Sequence, residues 1–259
     1  MKQKLSIIKI GGNVIENEDE LAKFLQSFAQ LEGLKILVHG GGKLATQLAS
    51  QLGIESKMFQ GRRITDAASL KIITMVYAGL TNKNIVAQLQ AKQCNAIGLT
   101  GADGNTIEAY KRPVRDIDFG FVGDVEKVDA TIINQLLSIG LTPVFCAMTH
   151  NTHGQLLNTN ADTIASEIAI AMSAIFETTL YYCFEKKGVL MNVNDDNSVV
   201  TDINSESYEK LLLENIIADG MLPKMENCFH ALKNEVNKVC IGDTQMLNPD
   251  ANLFTTLTL

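Results

Sequence analysis

Twice in this chain a buried strand runs straight into glycines and then into a helix. That pattern limits both what the chain can fold into and what it can bind. The first instance is the run from Leu5 to Ile10, which delivers Lys9 into Gly11-Gly12. The second is Ile36-Leu37-Val38, followed by His39-Gly40-Gly41-Gly42-Lys43 and then by Leu44, Leu48 and Leu52, whose spacing of four predicts one helical face. Glycines between strand and helix leave backbone N–H groups uncovered at the positive end of the helix dipole. Such a turn binds the anionic oxygens of a phosphate or carboxylate. The plainer reading of a single turn of this kind is that it merely reverses the chain. Two of them, one edged by a lysine, predict an anion site built from two loops of one sheet.

The remaining sequence keeps alternating. Residues 18–31, 67–91 and 129–139 carry helical patterns, and 96–99 and 142–147 read as strands. Turn signals between Gly101 and Val128 predict β-hairpins there. Past residue 176 the run 179–184 reads as a strand, 205–217 and 221–233 as helices, and 238–241 and 253–257 as strands that complete a sheet. Alternating βα units predict an α/β class with a mostly parallel sheet and helices on both faces. We expect a larger N-terminal lobe, residues 1–175, and a smaller C-terminal lobe, residues 176–259, joined without a disordered linker.

Composition narrows the function. A net charge of -7 argues against sequence-independent nucleic-acid binding, which needs a basic surface. It leaves room for an anionic small molecule held by a few focused lysines and arginines. The five cysteines are widely spaced, form no C-x-x-C pair and lie mostly in apolar runs, so buried thiols in a reducing compartment are expected. With no apolar leader or span in the sequence, a cytoplasmic protein with no membrane partner is expected.

Three further segments can carry chemistry, and each has a plainer reading. Gly61-Arg62-Arg63-Ile64-Thr65 offers guanidinium forks for a carboxylate or phosphate, or is a solvated basic turn. Asn158-Thr159-Asn160-Ala161-Asp162 precedes a helix, where Asn and Asp are also favoured caps. Asp219-Gly220-Met221-Leu222-Pro223-Lys224 turns into a helix that presents a lysine, or is surface charge. Asp118-Phe119-Gly120 spells the metal-binding tripeptide of protein kinases but lacks its companion motifs, and fits a hairpin better. No G-x-x-x-x-G-K-[ST] is present. His150 and His153 lack partners at ligand spacing, so no metal site on protein ligands is expected.

It is the ordered combination that is specific. Ile8-Lys9-Ile10-Gly11-Gly12, Val38-His39-Gly40-Gly41-Gly42, Gly61 to Thr65, Asn82-Lys83, Gly98-Leu99-Thr100-Gly101, Gly120-Phe121-Val122-Gly123, Asn158 to Asp162 and Gly220 to Lys224 cover almost the whole chain. In that order they resemble the amino acid kinase family, and most closely its N-acetylglutamate kinase branch. The resemblance implies a three-layer αβα sandwich, with the acylated amino acid and the dimer contact in the N-terminal lobe and ATP in the C-terminal lobe. It implies phosphorylation of the γ-carboxylate of N-acetyl-L-glutamate by ATP, in arginine biosynthesis, with Mg2+ carried by the nucleotide phosphates. A carboxylate acceptor is already ionised, so no general base is needed. The obstacle is repulsion between two anions and their alignment, which flanking lysines address.

By resemblance, Lys9 and Lys224 are those lysines and Asp162 orients them. Gly41 and Gly42 hold the reacting carboxylate, while Arg63 and Asn158 fix the α-carboxylate and the acylamide. Gly11, Gly12, Glu185, Gly188, Gly220 and Met221 line the phosphate and nucleotide path. Two departures stand out. Glu185-Lys186-Lys187 replaces the family's usual Asp with small residues, and Arg62 stands where the family has an apolar side chain beside the acetyl methyl. An inward Arg62 suits a carboxylated acyl group, hence N-succinyl-L-glutamate as the alternative substrate; an outward one leaves acetyl. A third reading, from another class, is a catalytically silent metabolite sensor on the same fold. Arginine-inhibited members carry an N-terminal helix that links dimers into hexamers. Here the first strand starts a few residues after Met1, so a homodimer that ignores arginine is expected.

Overall fold

The computed structural model of the chain describes residues 2–59, 61–217, 221–248 and 250–259. Strand β1 (Lys4–Ile10) turns through α1 (Gly12–Glu16) into α2 (Glu18–Gln30). Strand β2 (Leu34–His39) leads to α3 (Gly42–Gln51) and a short ribbon of β3 (Met58–Phe59) and β4 (Arg62–Arg63). Helix α4 (Ala67–Ile73) continues through a π-helical segment (Thr74–Thr81) into α5 (Asn82–Ala91), then β5 (Ala96–Leu99). Next come β6 (Ile107–Lys111), β7 (Gly123–Val128), α6 (Ala130–Ser138), β8 (Thr142–Cys146), β9 (Met148–His150), β10 (Leu156–Asn158) and α7 (Ala161–Ser173). The chain ends with β11 (Glu177–Cys183), β12 (Asp202–Ile203), α8 (Ser205–Leu213), α9 (Leu222–Lys233), β13 (Lys238–Gly242) and β14 (Thr255–Leu257).

These elements pack into two compact units. One holds the chain up to Ile36 and again from Ala165, the other Leu37 to Ile164. In the first unit the strand order is β12-β14-β13-β11-β1, and every neighbouring pair is parallel except β13 with β14. Strand β1 shows why its apolar residues form a run rather than an alternation. Leu5, Ile7, Ile8 and Ile10 are all buried, as befits a parallel strand covered on both faces. Helix α2 is started by the Asn17 side chain, which accepts from the Asp19 and Glu20 amides, and it buries Leu21, Phe24, Leu25 and Phe28.

In the second unit β2, β8 and β5 pair in parallel. The hairpin expected between 101 and 128 is the antiparallel pair of β6 and β7, within a smaller sheet ordered β10-β9-β6-β7. The mostly parallel α/β class read from the sequence is the one adopted. All five cysteines are free and buried, and burial pushes the Cys146 thiol up to about 12. Among the described residues no helix is long and apolar enough to cross a membrane.

Two details differ from expectation. The helix read over 67–91 is continuous, but its middle is π-helical. In α3 the core-facing positions are Ala45 and Ala49, with Leu44 and Leu48 flanking them and Leu52 exposed at the C-cap. Tyr77, Val76 and Ile73 fill the space opposite, which leaves room for alanine methyls but not for a third leucine.

The loop before β7 is fixed to the residue after β4. The Thr65 N–H donates to the Phe119 carbonyl at 2.9 Å, and the Phe121 N–H donates to the Thr65 carbonyl at 2.7 Å. Between them Gly120 has φ +71°, and a Cβ there would lie 2.2 Å from the Thr65 carbonyl oxygen. Asp118-Phe119-Gly120 is thus a backbone clasp, with the Asp118 carboxylate accepting from the Gly120 N–H. Gly120→Ala should lower stability by about 2–3 kcal/mol, because strain and backbone overlap add. Gly140→Ala, at φ +80° with nothing within 4 Å, should cost about 1 kcal/mol from strain alone. Denaturant unfolding of the two variants checks the order; equal losses would mean the clasp yields freely.

Candidate functional site

The glycine loop after β2 is shaped by what packs behind it. Gly41 is the N-cap of α3 with φ 155°, and a Cβ on it would stand 2.9 Å from the Tyr77 ring. No other residue fits there. Arg63 reaches the same helix start: its Nη2 donates to the Gly42 carbonyl at 2.9 Å and to Thr46 Oγ1 at 2.6 Å. Burial pushes the Tyr77 phenol up, and the charge and hydrogen bond of Arg63 pull against that. Arg63 therefore joins Gly41 and Gly42, as the sequence implied, and brings Thr46 and Tyr77 with it. Those two were missed because a threonine in a helix and a tyrosine in an apolar stripe carry no motif.

Arg62 goes elsewhere. In the ribbon Phe59 pairs with Arg62 and Met58 with Arg63, and successive strand side chains point to opposite faces. With Arg63 turned to α3, Arg62 lies on the other face and is exposed. It is not brought together with Gly41, Gly42 and Arg63.

Asn158 is tied into the same framework. Its Nδ2 donates to Thr65 Oγ1 at 3.0 Å and its N–H to the Phe121 carbonyl at 2.9 Å. Gly123 completes the junction, since a Cβ on it would fall 2.9 Å from atoms of Leu157, Thr149 and Thr159. Asn160 caps α7 by accepting from the Asp162 and Thr163 amides, which sets Asp162 in the first helical turn. The capping role belongs to Asn160, not to Asn158.

In the first unit, Lys9 sits at the nearly buried end of β1 and Lys224 on α9. Both ammonium groups lie over the ring of Phe184, at 5.1 Å and 3.9 Å from its centroid. The ring stacks on Tyr182 at 6.0 Å with planes 9° apart. The negative face of an aromatic ring attracts a cation, so Phe184 helps hold two like charges near one another. In the sequence Phe184 reads only as the end of a strand-like run.

The other residues that the resemblance assigns to the phosphate and nucleotide path divide. Gly11 donates its N–H to the Cys183 carbonyl at 3.1 Å, closing β1 onto β11, and Gly12 opens α1. Glu185 is exposed, and its neighbours are occupied: Lys186 pairs with Asp196 at 2.7 Å and Lys187 with Asn197 at 2.9 Å. Gly188 is buried, and a Cβ there would meet Thr255 Oγ1 at 2.6 Å and Val199 at 2.7 Å, so packing alone requires glycine. Met221 is the N-cap of α9, and Gly220 lies outside the described residues.

His39, just before the glycines, is fully buried and its pKa is lowered to about 4 by desolvation, which outweighs its hydrogen bond to Gly40; the Lys83 charge lowers it slightly further. The folded pKa lies below the ordinary 6.5, so the unfolded chain takes up this proton first as pH falls. The stability due to neutral His39 is complete above 6.5 and lost between 6.5 and about 4, amounting to about 3 kcal/mol. Unfolding free energies at pH 7 and 4.5 should therefore differ less in His39→Asn than in the wild type. An identical pH slope would show that other groups carry it.

The sequence pattern described as the amino acid kinase family matches residues 4–243. Acetylglutamate kinase from Bacteroides fragilis is 55% identical over 250 residues, 96% of each chain. Acetylglutamate kinase from Phocaeicola vulgatus is 56% identical over 248 residues, again 96% of each. Among solved structures, the smu.665 protein of Streptococcus mutans superposes with a TM-score of 0.77 at 24% identity, covering 98% of both chains, and thus shares the fold. With its mostly parallel strands, its two glycine turns and a match along nearly its full length, the chain belongs to the amino acid kinase family.

Proposed function

We propose that this chain transfers the γ-phosphoryl group of ATP to the γ-carboxylate of N-acetyl-L-glutamate, forming an acyl phosphate in arginine biosynthesis. The observation that carries this reading is the 55% identity to an acetylglutamate kinase along 96% of both chains. Supporting it, Arg63, Thr46 and Tyr77 gather at the Gly41-Gly42 helix start, and Lys9 and Lys224 share Phe184.

The roles follow from charge. An ionised carboxylate attacks the terminal phosphorus, the bond to the bridging oxygen of ADP breaks, and ADP leaves with that electron pair. Lys9 and Lys224 stabilise the negative charge as it moves, and Asp162 orients them. Backbone N–H groups of Gly41 and Gly42 hold the γ-carboxylate; Arg63 takes the α-carboxylate and Asn158 the acylamide. Mg2+ carried by the nucleotide phosphates would supply further neutralisation beside Lys9 and Lys224. Gly12, Met221, Gly220, Glu185 and Gly188 belong to the phosphate and nucleotide side, with Gly11 bracing the turn. Residues 1–175 serve the acylglutamate and dimer contact and 176–259 serve ATP, in a cytoplasmic homodimer that light scattering would resolve from a hexamer. The outward face of Arg62 favours acetyl over succinyl.

An ADP-release assay against N-acetylglutamate, N-succinylglutamate, glutamate and carbamate tests the reading. Turnover should be largest with N-acetylglutamate, and Arg62→Leu should leave the acetyl-to-succinyl ratio of kcat/KM unchanged. A succinyl preference that collapses in that variant would instead put Arg62 beside the acyl group. Lys9→Ala and Lys224→Ala should each lose about a hundredfold in kcat, from about 3 kcal/mol of lost charge stabilisation, with the unfolding midpoint nearly unchanged. Near-wild-type turnover in both would remove the assigned roles.

A further inference from the structure

Two pieces of the sequence pattern, Asn82-Lys83 and Gly98, touch none of the groups assigned above. Their geometry centres on His39. The His39 Nδ1 lies 2.7 Å from the Gly40 carbonyl oxygen, which can only accept, so Nδ1 carries the proton and Nε2 has a lone pair. The Asn82 Nδ2 fills that need, donating to His39 Nε2 at 3.0 Å and to the Val144 carbonyl at 2.9 Å. Both amide hydrogens are then used, and Oδ1 must face the other way. There Lys83 Nζ donates to Asn82 Oδ1 at 3.1 Å and to the Gly98 carbonyl at 3.0 Å. Residue 98 has to be glycine, because a Cβ on it would lie 1.9 Å from Asn82 Oδ1. His39 and Asn82 are 0% and 1% exposed, so the polar atoms of these two side chains are committed to one orientation.

The end of the chain is a peptide plane. His39 pulls the Gly40 carbonyl toward its buried ring. In a planar trans peptide the following N–H points the opposite way, so the Gly41 N–H is aimed away from the core. Glycine on both sides of that plane offers little resistance to a flip, and a flipped plane would present a carbonyl oxygen to an anion. We propose that His39 and Asn82 are positioning residues that lock the Gly40–Gly41 peptide with its N–H toward the reacting carboxylate. The proposal rests on the reading that the glycine loop holds that carboxylate.

Substitutions that differ only in where they place an N–H test it. The Nδ2 of an asparagine at 39 occupies the position of the histidine Nδ1, whereas the amide of a glutamine reaches the Nε2 position instead. His39→Asn should keep the KM for N-acetylglutamate within about threefold of wild type. His39→Gln and Asn82→Ala should each raise it about tenfold, the worth of one hydrogen bond to a charged group, with the KM for ATP unchanged. Loss through misfolding would lower kcat and leave both KM values alone. Equal KM values in all three variants, or an Asn variant as impaired as the Gln one, would overturn the lock. The Gly41 amide resonance separates the two ideas. If it fails to shift when wild type is saturated with N-acetylglutamate, the carboxylate does not bind there. If it shifts equally in wild type and Asn82→Ala, the loop binds but the lock is unnecessary.

Discussion

The backbone and hydroxyl of Thr65 tie together the segments that carry Arg63, Phe121 and Asn158. This fully buried residue accepts the Phe121 N–H, donates to the Phe119 carbonyl and takes the Asn158 amide on its Oγ1. Three segments far apart in sequence thereby meet at one threonine, and Arg63 lies two residues before it on the same chain. An arginine fork recognises a carboxylate only if its stem is held, since freezing a long side chain costs rotamer entropy. Here the stem rises from a backbone clamped on both sides, and its tip rests on Gly42 and Thr46. The ordering cost is met largely during folding.

A similar economy operates in the first unit. Two ammonium groups brought together repel, and the usual remedy is an acid between them. Phe184 contributes something else: a neutral, rigid ring whose face attracts both cations without cancelling their charge. The stacked Tyr182 keeps the ring from turning edge-on.

How much of this was legible depended on whether a residue's task was written in its type. The strands from Leu5 and from Ile36 were plain, because a parallel strand must be apolar throughout and its glycine stop is abrupt. Gly41, Gly42, Arg63 and Asn158 stood out only through the order of their segments, which resembles the family's, and the structure brings Arg63 to Gly42 and ties Asn158 to Thr65. Tyr77 and Phe184 could not, because each looks like core and acts through a face or a hydroxyl that only folding directs. Arg62 illustrates the converse. Its charge drew attention, yet a period of two placed it on the opposite face from Arg63, and the pairing partner that fixes this, Phe59, is itself unremarkable in sequence. Gly188 taught the same lesson about glycines, since Thr255 and Val199 require it for space alone.

The π-helical segment Thr74–Thr81 connects α4 to α5 with wider turns than an α-helix has, so each residue advances the helix through a smaller angle. Over eight residues that difference accumulates, and α5 leaves the segment rotated relative to a straight continuation of α4. The rotation chooses which side chain of the next turn meets the sheet. With it, Tyr77 covers Gly41 and Asn82 reaches His39. Without it, a neighbour such as Lys83 or Thr81 would arrive in place of the asparagine. The phase of this helix is therefore inherited as a count of residues rather than as any one of them. A single deletion at Ala78, Gly79 or Leu80 would break the alignment as surely as losing the histidine, while leaving Tyr77, Asn82 and His39 in the sequence.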